Sequence, residues 1–340
     1  MPDPIPARKS RLGLYLPFIL LLVGIVAWTC VWFWMRIQVQ DRLAAAQTGL
    51  RAAGYDIDWD SHSIGGYPFR LDVTLVAPRL RDPSGWALAA PRLEGEAYVL
   101  TPGHWIVAAP QGLEFTRPSG GPVSVKGQLI RASLSNLDKR PPNVSFEAVK
   151  VAFTPAPGAQ PFGLSTADRV EFHLRAGPDD QGGVFAKVDG GRARPLGLLA
   201  RVAGDKPVAL VWNATLSKMS AFTGPTWPRA VRAWSDAGGQ MSVRNAGVTA
   251  GEAILGAQGG TLTVGSDGRL RGALDLSLRQ APRAIAALGE TGAIAPEAAA
   301  AAAALTAARQ QGDLARAALT FEAGQTTLGP VAIAPAPRVY

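Results

Sequence analysis

Few side chains in this sequence could carry chemistry, and most of them lie far apart. The histidines are His62, His104 and His173, and Cys30 is the only cysteine. A single cysteine excludes an intramolecular disulfide and a zinc site built on cysteines. His173 and Glu171 share one face of a predicted strand, but a metal site needs further ligands nearby, so we interpret them as an exposed polar pair.

Three alternating carboxylates, Asp56, Asp58 and Asp60, resemble the opening of a calcium-binding loop. The match fails later in the loop, because the sixth position requires glycine and is Ser61, and the twelfth requires glutamate and is Tyr67. Alternation in a strand places the three carboxylates on one face. We therefore predict a solvated strand face there and no metal site.

Sequence motifs of the common enzyme classes are absent. The chain has no phosphate-binding loop, no G-x-S-x-G elbow and no H-E-x-x-H pair, and its glycine pairs lie among strands without the helix that a dinucleotide site requires. We predict no catalytic residue, no cofactor and no enzymatic activity. The enzymatic alternative is a hydrolase whose site is assembled from residues distant in sequence.

The formal net charge of +8 does not indicate nucleic-acid binding, because the basic residues are scattered along the chain. Binding to phosphates requires clustered positive charge. We predict no nucleic-acid partner.

The N-terminal region is typical of a membrane anchor. Residues 12–35 carry no charge, and as a helix they are long enough to cross a hydrocarbon core about 30 Å thick. Arg8, Lys9 and Arg11 precede this segment, so we predict that residues 1–11 form a cytoplasmic tail and that the rest of the chain lies outside the cytoplasm. Trp28, Trp32 and Trp34 are expected at the outer membrane interface.

The sequence also bears on the fate of this segment and on the structure of the residues after it. A cleaved secretory signal is the alternative to a retained anchor, because an A-x-A pattern occurs at 44–46, although the apolar run is longer than signal peptides carry. Residues 36–54 continue with a stripe of Val39, Leu43, Ala46 and Leu50, which predicts a juxtamembrane helix lying on the following domain.

From residue 55 onward the apolar pattern changes to a period of two, which predicts β-strands. Alternating segments recur between Pro- and Gly-rich turns up to the C-terminus, with the clearest hairpin at 262–278. Helical spacing interrupts them at 225–237, 282–288 and 296–311. We predict a mainly β domain over 55–340, an elongated and bent antiparallel sheet with three or four short helices, and a possible sub-boundary near 218–240.

Many predicted strands have one apolar face that few helices are available to cover. The sheet either closes into a sandwich with a filled core or bends into a trough that shields apolar ligands. The strand residues that we expect to face such a ligand are Phe69, Leu71, Val73, Val170, Phe172, Leu274 and Leu276.

The element Gly66-Tyr67-Pro68-Phe69-Arg70, with an N-terminal anchor before it and a glycine-bearing hairpin at the C-terminus, resembles the bacterial domain of unknown function 2125 family (DUF2125). The strands around 260–272 are also similar to those of AsmA-like envelope proteins. The resemblance implies an inner-membrane protein that faces the periplasm and contains a bent β-sheet. It supplies no catalytic residues, and we interpret the 66–70 element as structural, since the glycine permits a turn and Pro68 lies near a strand start.

These observations lead to two expected functions. The first is a single-pass inner-membrane protein that binds or shields lipid-like apolar ligands at the cell envelope. The alternative is a non-catalytic envelope scaffold with a sealed core, which binds a protein partner through a sheet edge or a helix face.

Overall fold

The computed structural model describes residues 12–139 and 141–340, so the predicted cytoplasmic tail at 1–11 lies outside the described residues. One long helix, α1 (Leu12–Ala52), covers both the predicted anchor and the predicted juxtamembrane helix. By length and composition this helix could cross a membrane, and most of its apolar span is not covered by protein. Gly54, with a φ of 90°, follows the end of the helix, as expected for a glycine stop.

In the described residues after α1, the strands form one antiparallel sheet of 21 strands. Its first half contains β1 (Asp56–Asp58), β2 (Ser61–Gly65), β3 (Arg70–Val76), β4 (Arg79–Arg81), β5 (Ala87–Ala89), β6 (Arg92–Tyr98), β7 (Trp105–Ala108), β8 (Leu113–Arg117), β9 (Gly121–Lys126), β10 (Leu129–Ser135) and β11 (Asn143–Pro155). Its second half contains β12 (Leu164–Ala176), β13 (Gly182–Ala193), β14 (Val208–Leu216), β15 (Met241–Ala250), β16 (Ala253–Val264), β17 (Leu270–Arg279), β18 (Gln310–Gln311), β19 (Leu314–Glu322), β20 (Gln325–Leu328) and β21 (Val331–Pro335).

A crease divides the first half of the sheet. β3 and β4 are two parts of one bent strand, as are β5 and β6, β7 and β8, and β9 and β10, and each part pairs with the corresponding part of the next bent strand. β11 joins the two sides, because its first part pairs with β10 and its last part with β9. Ala77, Gly112 and Lys150, all with positive φ, lie along this crease and break the strand geometry.

The helices lie on the apolar face of the sheet. α1 contacts this face in the first half, while α2 (Leu198–Ala203), α3 (Trp227–Asp236), α4 (Ala281–Glu290) and α5 (Pro296–Ala308) contact it in the second half. The largest buried cluster lies under α4 and α5 and includes Leu274, Leu276 and Ile285. The predicted trough or sandwich is therefore one large open sheet with helices on one face.

Most predicted elements are present, with differences at their ends. The helix predicted over 296–311 ends at Ala308, because Gln310 and Gln311 pair with β19 instead. The sheet continues through 218–240, since β14 pairs with β15 across the intervening α3 and a 3₁₀ turn at Met219–Ala221. The short strands β4 and β5 on the far side of the crease were not predicted, since three residues show too little alternation.

Candidate functional site

The outer end of α1 is built into the domain. Trp32 is only 4% exposed and packs against Leu71 and Val99 of the sheet. Its indole Nε1 donates a hydrogen bond of 2.8 Å to the carbonyl oxygen of Arg70. Trp28 lies one turn earlier on the same helix face, and its Nε1 donates to the carbonyl oxygen of Pro68 at 2.9 Å.

The 66–70 element makes most of these contacts between the domain and α1. The hydroxyls of Thr29 and Tyr67 are 2.9 Å apart, and the Phe69 ring lies beside Trp28, with ring centroids separated by 6.3 Å. Gly66 has a φ of 96°, and a Cβ there would lie 2.8 Å from the carbonyl oxygen of Arg70. The turn therefore requires glycine, and the element holds the domain against α1. We call these contacts the helix clamp.

An apolar groove of about 980 Å³ lies beside the helix clamp, between the outer part of α1 and the sheet. Leu71, Val73 and Leu75 of β3 form part of its wall, together with side chains of β6, β7 and β10 that share the same sheet face, namely Leu93, Trp105, Val107 and Leu134. The helix contributes the predicted stripe residues Val39, Leu43 and Ala46. The volume falls in the range of small-ligand pockets, about 300–1,000 Å³.

Exposed residues form the rim of this groove. Trp34 and Leu137 are 61% and 44% exposed, and Arg42, His104 and Asp138 add charged or polar groups around the apolar interior. Such a rim around an apolar interior suits a ligand with an apolar body and a polar end.

His104 at the rim of the groove contacts a serine that lies on the opposite face of the sheet. Ser133 Oγ and His104 Nε2 are 3.0 Å apart, which is within hydrogen-bond distance. Within 12–139 and 141–340 no carboxylate hydrogen-bonds to the His104 imidazole, so the third member of a catalytic triad is not in place there. The hydrolase alternative is therefore supported by one serine–histidine contact, without a carboxylate that would orient the imidazole.

The other residues expected to face a ligand lie elsewhere in the sheet. Phe69 is 67% exposed beside α1, and Phe172 is 37% exposed on the apolar face of β12. Val170 packs against the buried cluster near the crease. Leu274 and Leu276 are less than 7% exposed and lie in the core covered by α4 and α5, because those helices fill the face that the strand pattern left open.

Of the three tryptophans expected at the membrane interface, two face the domain. Trp28 and Trp32 are four residues apart and therefore lie on one helix face, which the helix clamp covers. Trp34 projects elsewhere and lines the groove. Sequence reasoning found the tryptophans but not their partners, because pairing across 38 or more residues leaves no local signal.

The opposite face of the sheet carries ion pairs. Glu147 accepts hydrogen bonds from Arg131 at 2.7 Å and from Arg169 at 2.5 Å. The hydrogen bond from Arg131 is the main cause that lowers the pKa of the Glu147 carboxyl, and the charge of Arg169 adds to it. Glu171 pairs with Arg169 at 3.1 Å, whereas the ring of His173 stacks on Phe185. These groups neutralise one another.

Two of the three alternating aspartates also form ion pairs with arginine. Asp60 lies 3.0 Å from Arg79, and Asp58 lies 3.5 Å from Arg51 at the end of α1. In the part of the chain that the structure describes, no group of three or more His, Cys, Asp or Glu side chains could hold a metal ion. The aspartates instead help to join α1 to the first strands.

Comparison with known proteins gives one match. A model of the bacterial family described as "Uncharacterized protein conserved in bacteria (DUF2125)" matches residues 32–337, which is nearly the whole chain. No curated protein and no solved structure matches the chain.

Proposed function

The chain belongs to the DUF2125 family of bacterial proteins, and we propose that it is a single-pass membrane protein that holds the acyl chain of a lipid in the groove beside its anchor. The observation that carries the proposal is the position of the groove. It lies between α1 and the sheet, next to the point where the apolar span of the helix ends.

The chemistry of the groove supports an acyl chain as the ligand. Each methylene group transferred from water into an apolar site contributes about 0.8 kcal/mol. Leu75, Leu93, Val107 and Leu134 offer such a site along its length. Arg42 at the rim is suited to a headgroup phosphate, because guanidinium groups bind phosphate oxygens through paired hydrogen bonds.

The proposed location is the inner membrane, with the N-terminus in the cytoplasm and the sheet in the periplasm. The basic residues before the apolar span support this orientation. The helix clamp supports retention of the anchor, because cleavage near Ala46 would remove Trp28 and Trp32 from their contacts with the domain. We assign no catalytic step to the protein.

A non-catalytic scaffold is the second candidate function, and one observation favours it. Among the described strands, β2 pairs only with β3, so its other edge is free to add a strand from a partner protein. In that function the groove would stay without lipid, and the partner would bind at Ser61–Gly65.

Photocrosslinking in cells tests the lipid proposal. We would place a photoreactive amino acid at Leu75, which lines the groove, and at Thr74, which lies on the opposite sheet face of the same strand. We expect lipid adducts on the full chain from position 75 and few from position 74. Equal yields at the two positions would contradict the proposal and favour the scaffold.

A rim variant provides a second arm of this experiment. Leu137→Arg places a charge at the mouth of the groove, and because Leu137 is 44% exposed the substitution should leave the fold intact. Leu196→Arg is the matched control, since Leu196 is 93% exposed and lies between β13 and α2. We expect the adducts at position 75 to fall several-fold in Leu137→Arg and to persist in Leu196→Arg.

A further inference from the structure

Two neighbouring hairpin ends carry large apolar side chains that stay at least half exposed. The turn before β3 presents Tyr67 and Phe69, which are 50% and 67% exposed. The end of β6 and the turn after it present Tyr98 and Leu100, which are 59% and 80% exposed. The backbone N–H of Val99 donates to the carbonyl oxygen of Phe69 at 3.0 Å, so the two ends form one surface. We call these four side chains the aromatic tip.

The helix clamp fixes the aromatic tip at one level of α1. Tyr67 contacts Thr29 through its hydroxyl and Trp32 through its ring, with ring centroids 5.5 Å apart. Phe69 lies beside Trp28, whose indole also binds the turn through the Pro68 carbonyl. The tip therefore lies beside the helix turn between Trp28 and Trp32.

That level corresponds to the edge of the hydrocarbon core. At about 1.5 Å per residue, Trp28 lies about 10 Å and Trp32 about 5 Å before Met35, the last residue of the uncharged stretch. The uncharged stretch is about 36 Å long, compared with a hydrocarbon core of about 30 Å and headgroup layers of about 5–8 Å on each side. When the stretch is centred on the core it extends about 3 Å beyond each side, so Trp32 lies about 2 Å and Trp28 about 8 Å inside the outer boundary between acyl chains and headgroups.

We propose that the aromatic tip inserts into the outer leaflet face of the same membrane that α1 spans, as a second attachment of the domain to the bilayer. Aromatic side chains favour this layer, because their rings accept an apolar surrounding while tyrosine hydroxyls reach polar groups. Two attachments fix the tilt of the sheet and hold the rim of the groove close to the lipid surface. The inference rests on the membrane-anchor part of the proposed function.

Depth measurements on the full chain in phosphatidylcholine vesicles test this inference. In a Cys30→Ser background, single cysteines at Leu100, Trp86 and Ile19 would each carry an environment-sensitive nitrobenzoxadiazole label. Trp86 is the matched control, because it is an exposed apolar residue at the opposite ends of the same bent strands. Quenching by acyl-chain bromines reports membrane contact, and quenching by iodide reports water contact.

We expect bromine quenching at positions 19 and 100 and iodide quenching at position 86. Iodide quenching at position 100 with bromine quenching at position 19 would overturn the inference and leave the anchor in place. Iodide quenching at position 19 would show that α1 does not enter the membrane, which overturns the anchor and the inference together. The lipid adducts at Leu75 are measured separately, so absence of lipid from the groove can be distinguished from absence of membrane contact at the aromatic tip.

Discussion

A single carboxylate shows how the polar face of the sheet depends on pH. Arg131 and Arg169 hold the pKa of Glu147 below its ordinary value of 4.5, so the ionised carboxylate stabilises the folded chain. A lowered pKa in the folded state means that this stabilisation is present above pH 4.5 and is lost as the pH falls. Because the side chain is 19% exposed, we expect an effect of about 1 kcal/mol.

We predict that Glu147→Gln lowers the unfolding temperature of the full chain at pH 7 and that its difference from the parent chain shrinks below pH 4.5. Thermal unfolding in a mild detergent, followed by circular dichroism from pH 7 to pH 3, measures this difference. Glu322→Gln, on the exposed face of β19, is the control and should differ little from the parent at any pH. A difference for Glu147→Gln that stays constant with pH would contradict the assignment.

Other residues show what the sequence can and cannot predict at this scale. The structural role expected for the 66–70 element follows from local conformation. A glycine before a strand predicts a turn, and Gly66 has the positive φ that such a turn uses. The hydrogen bond of Trp32 to Arg70 joins positions 38 residues apart, and no local pattern encodes it. The sequence therefore identified the tryptophans but not the domain residues that they contact.

At the scale of elements, the alanine-rich helix α5 illustrates close packing. Ala302 is 1% exposed under the sheet face, while Ala304 is exposed on the same helix. The approach of α4 is equally close, since a Cβ at Gly289 would lie 2.7 Å from the Cβ of Ala299. Space for a larger side chain is therefore missing on the buried side of the helix.

We predict that Ala302→Leu destabilises the folded chain by about 1–3 kcal/mol, because an overfilled core forces neighbouring side chains and backbone to move. Ala304→Leu adds the same side chain to the same helix on its exposed side and should change stability by less than about 0.5 kcal/mol. Denaturant unfolding of both variants gives the comparison. Equal destabilisation would show that α5 is not held against the sheet as the structure has it.

The sheet itself was predictable because alternation survives in long strands such as β16 and β17. Its crease was not, because the bend divides each strand into pieces as short as three residues and turns depend on positive φ at Ala77 and Lys150, which are not typical turn residues. The choice between sandwich and trough depended on this bend and on where the helices lie. Neither is a property of any one strand.

At the scale of the whole molecule, the groove is assembled from parts that are distant in the chain. Val39 of α1 and Leu134 of β10 line the same space. The sequence predicted that the stripe at 39–50 lies on the domain. In the structure Val39, Leu43 and Ala46 of this stripe line the groove between α1 and the sheet. A space between elements has no sequence signal of its own, which is why Leu71 and Val73 were expected to face a ligand without the α1 residues that line the same groove.

The predicted anchor at 12–35 continues into the predicted juxtamembrane helix without a break in α1. Trp32 and Met35 belong to the cluster that buries Leu71, which is 0% exposed, so this part of α1 belongs to the domain core. We predict that a fragment beginning at Arg36 is less stable than one beginning at Val26, by about 3–5 kcal/mol, the cost typical of deleting a buried tryptophan. Unfolding of both fragments in the same mild detergent measures the difference.

Two point variants distinguish the effect of losing the Trp32 side chain from the effect of shortening the apolar helix. Trp32→Ala in the longer fragment should lower its stability toward that of the shorter one, whereas Phe33→Ala, on the exposed side of the helix, should not. Equal stability of all four proteins would mean that this part of α1 does not contribute to the stability of the domain. The expected order instead makes the part of α1 around Trp32 a structural element of the domain, and the groove then depends on the packing of this helix against the sheet.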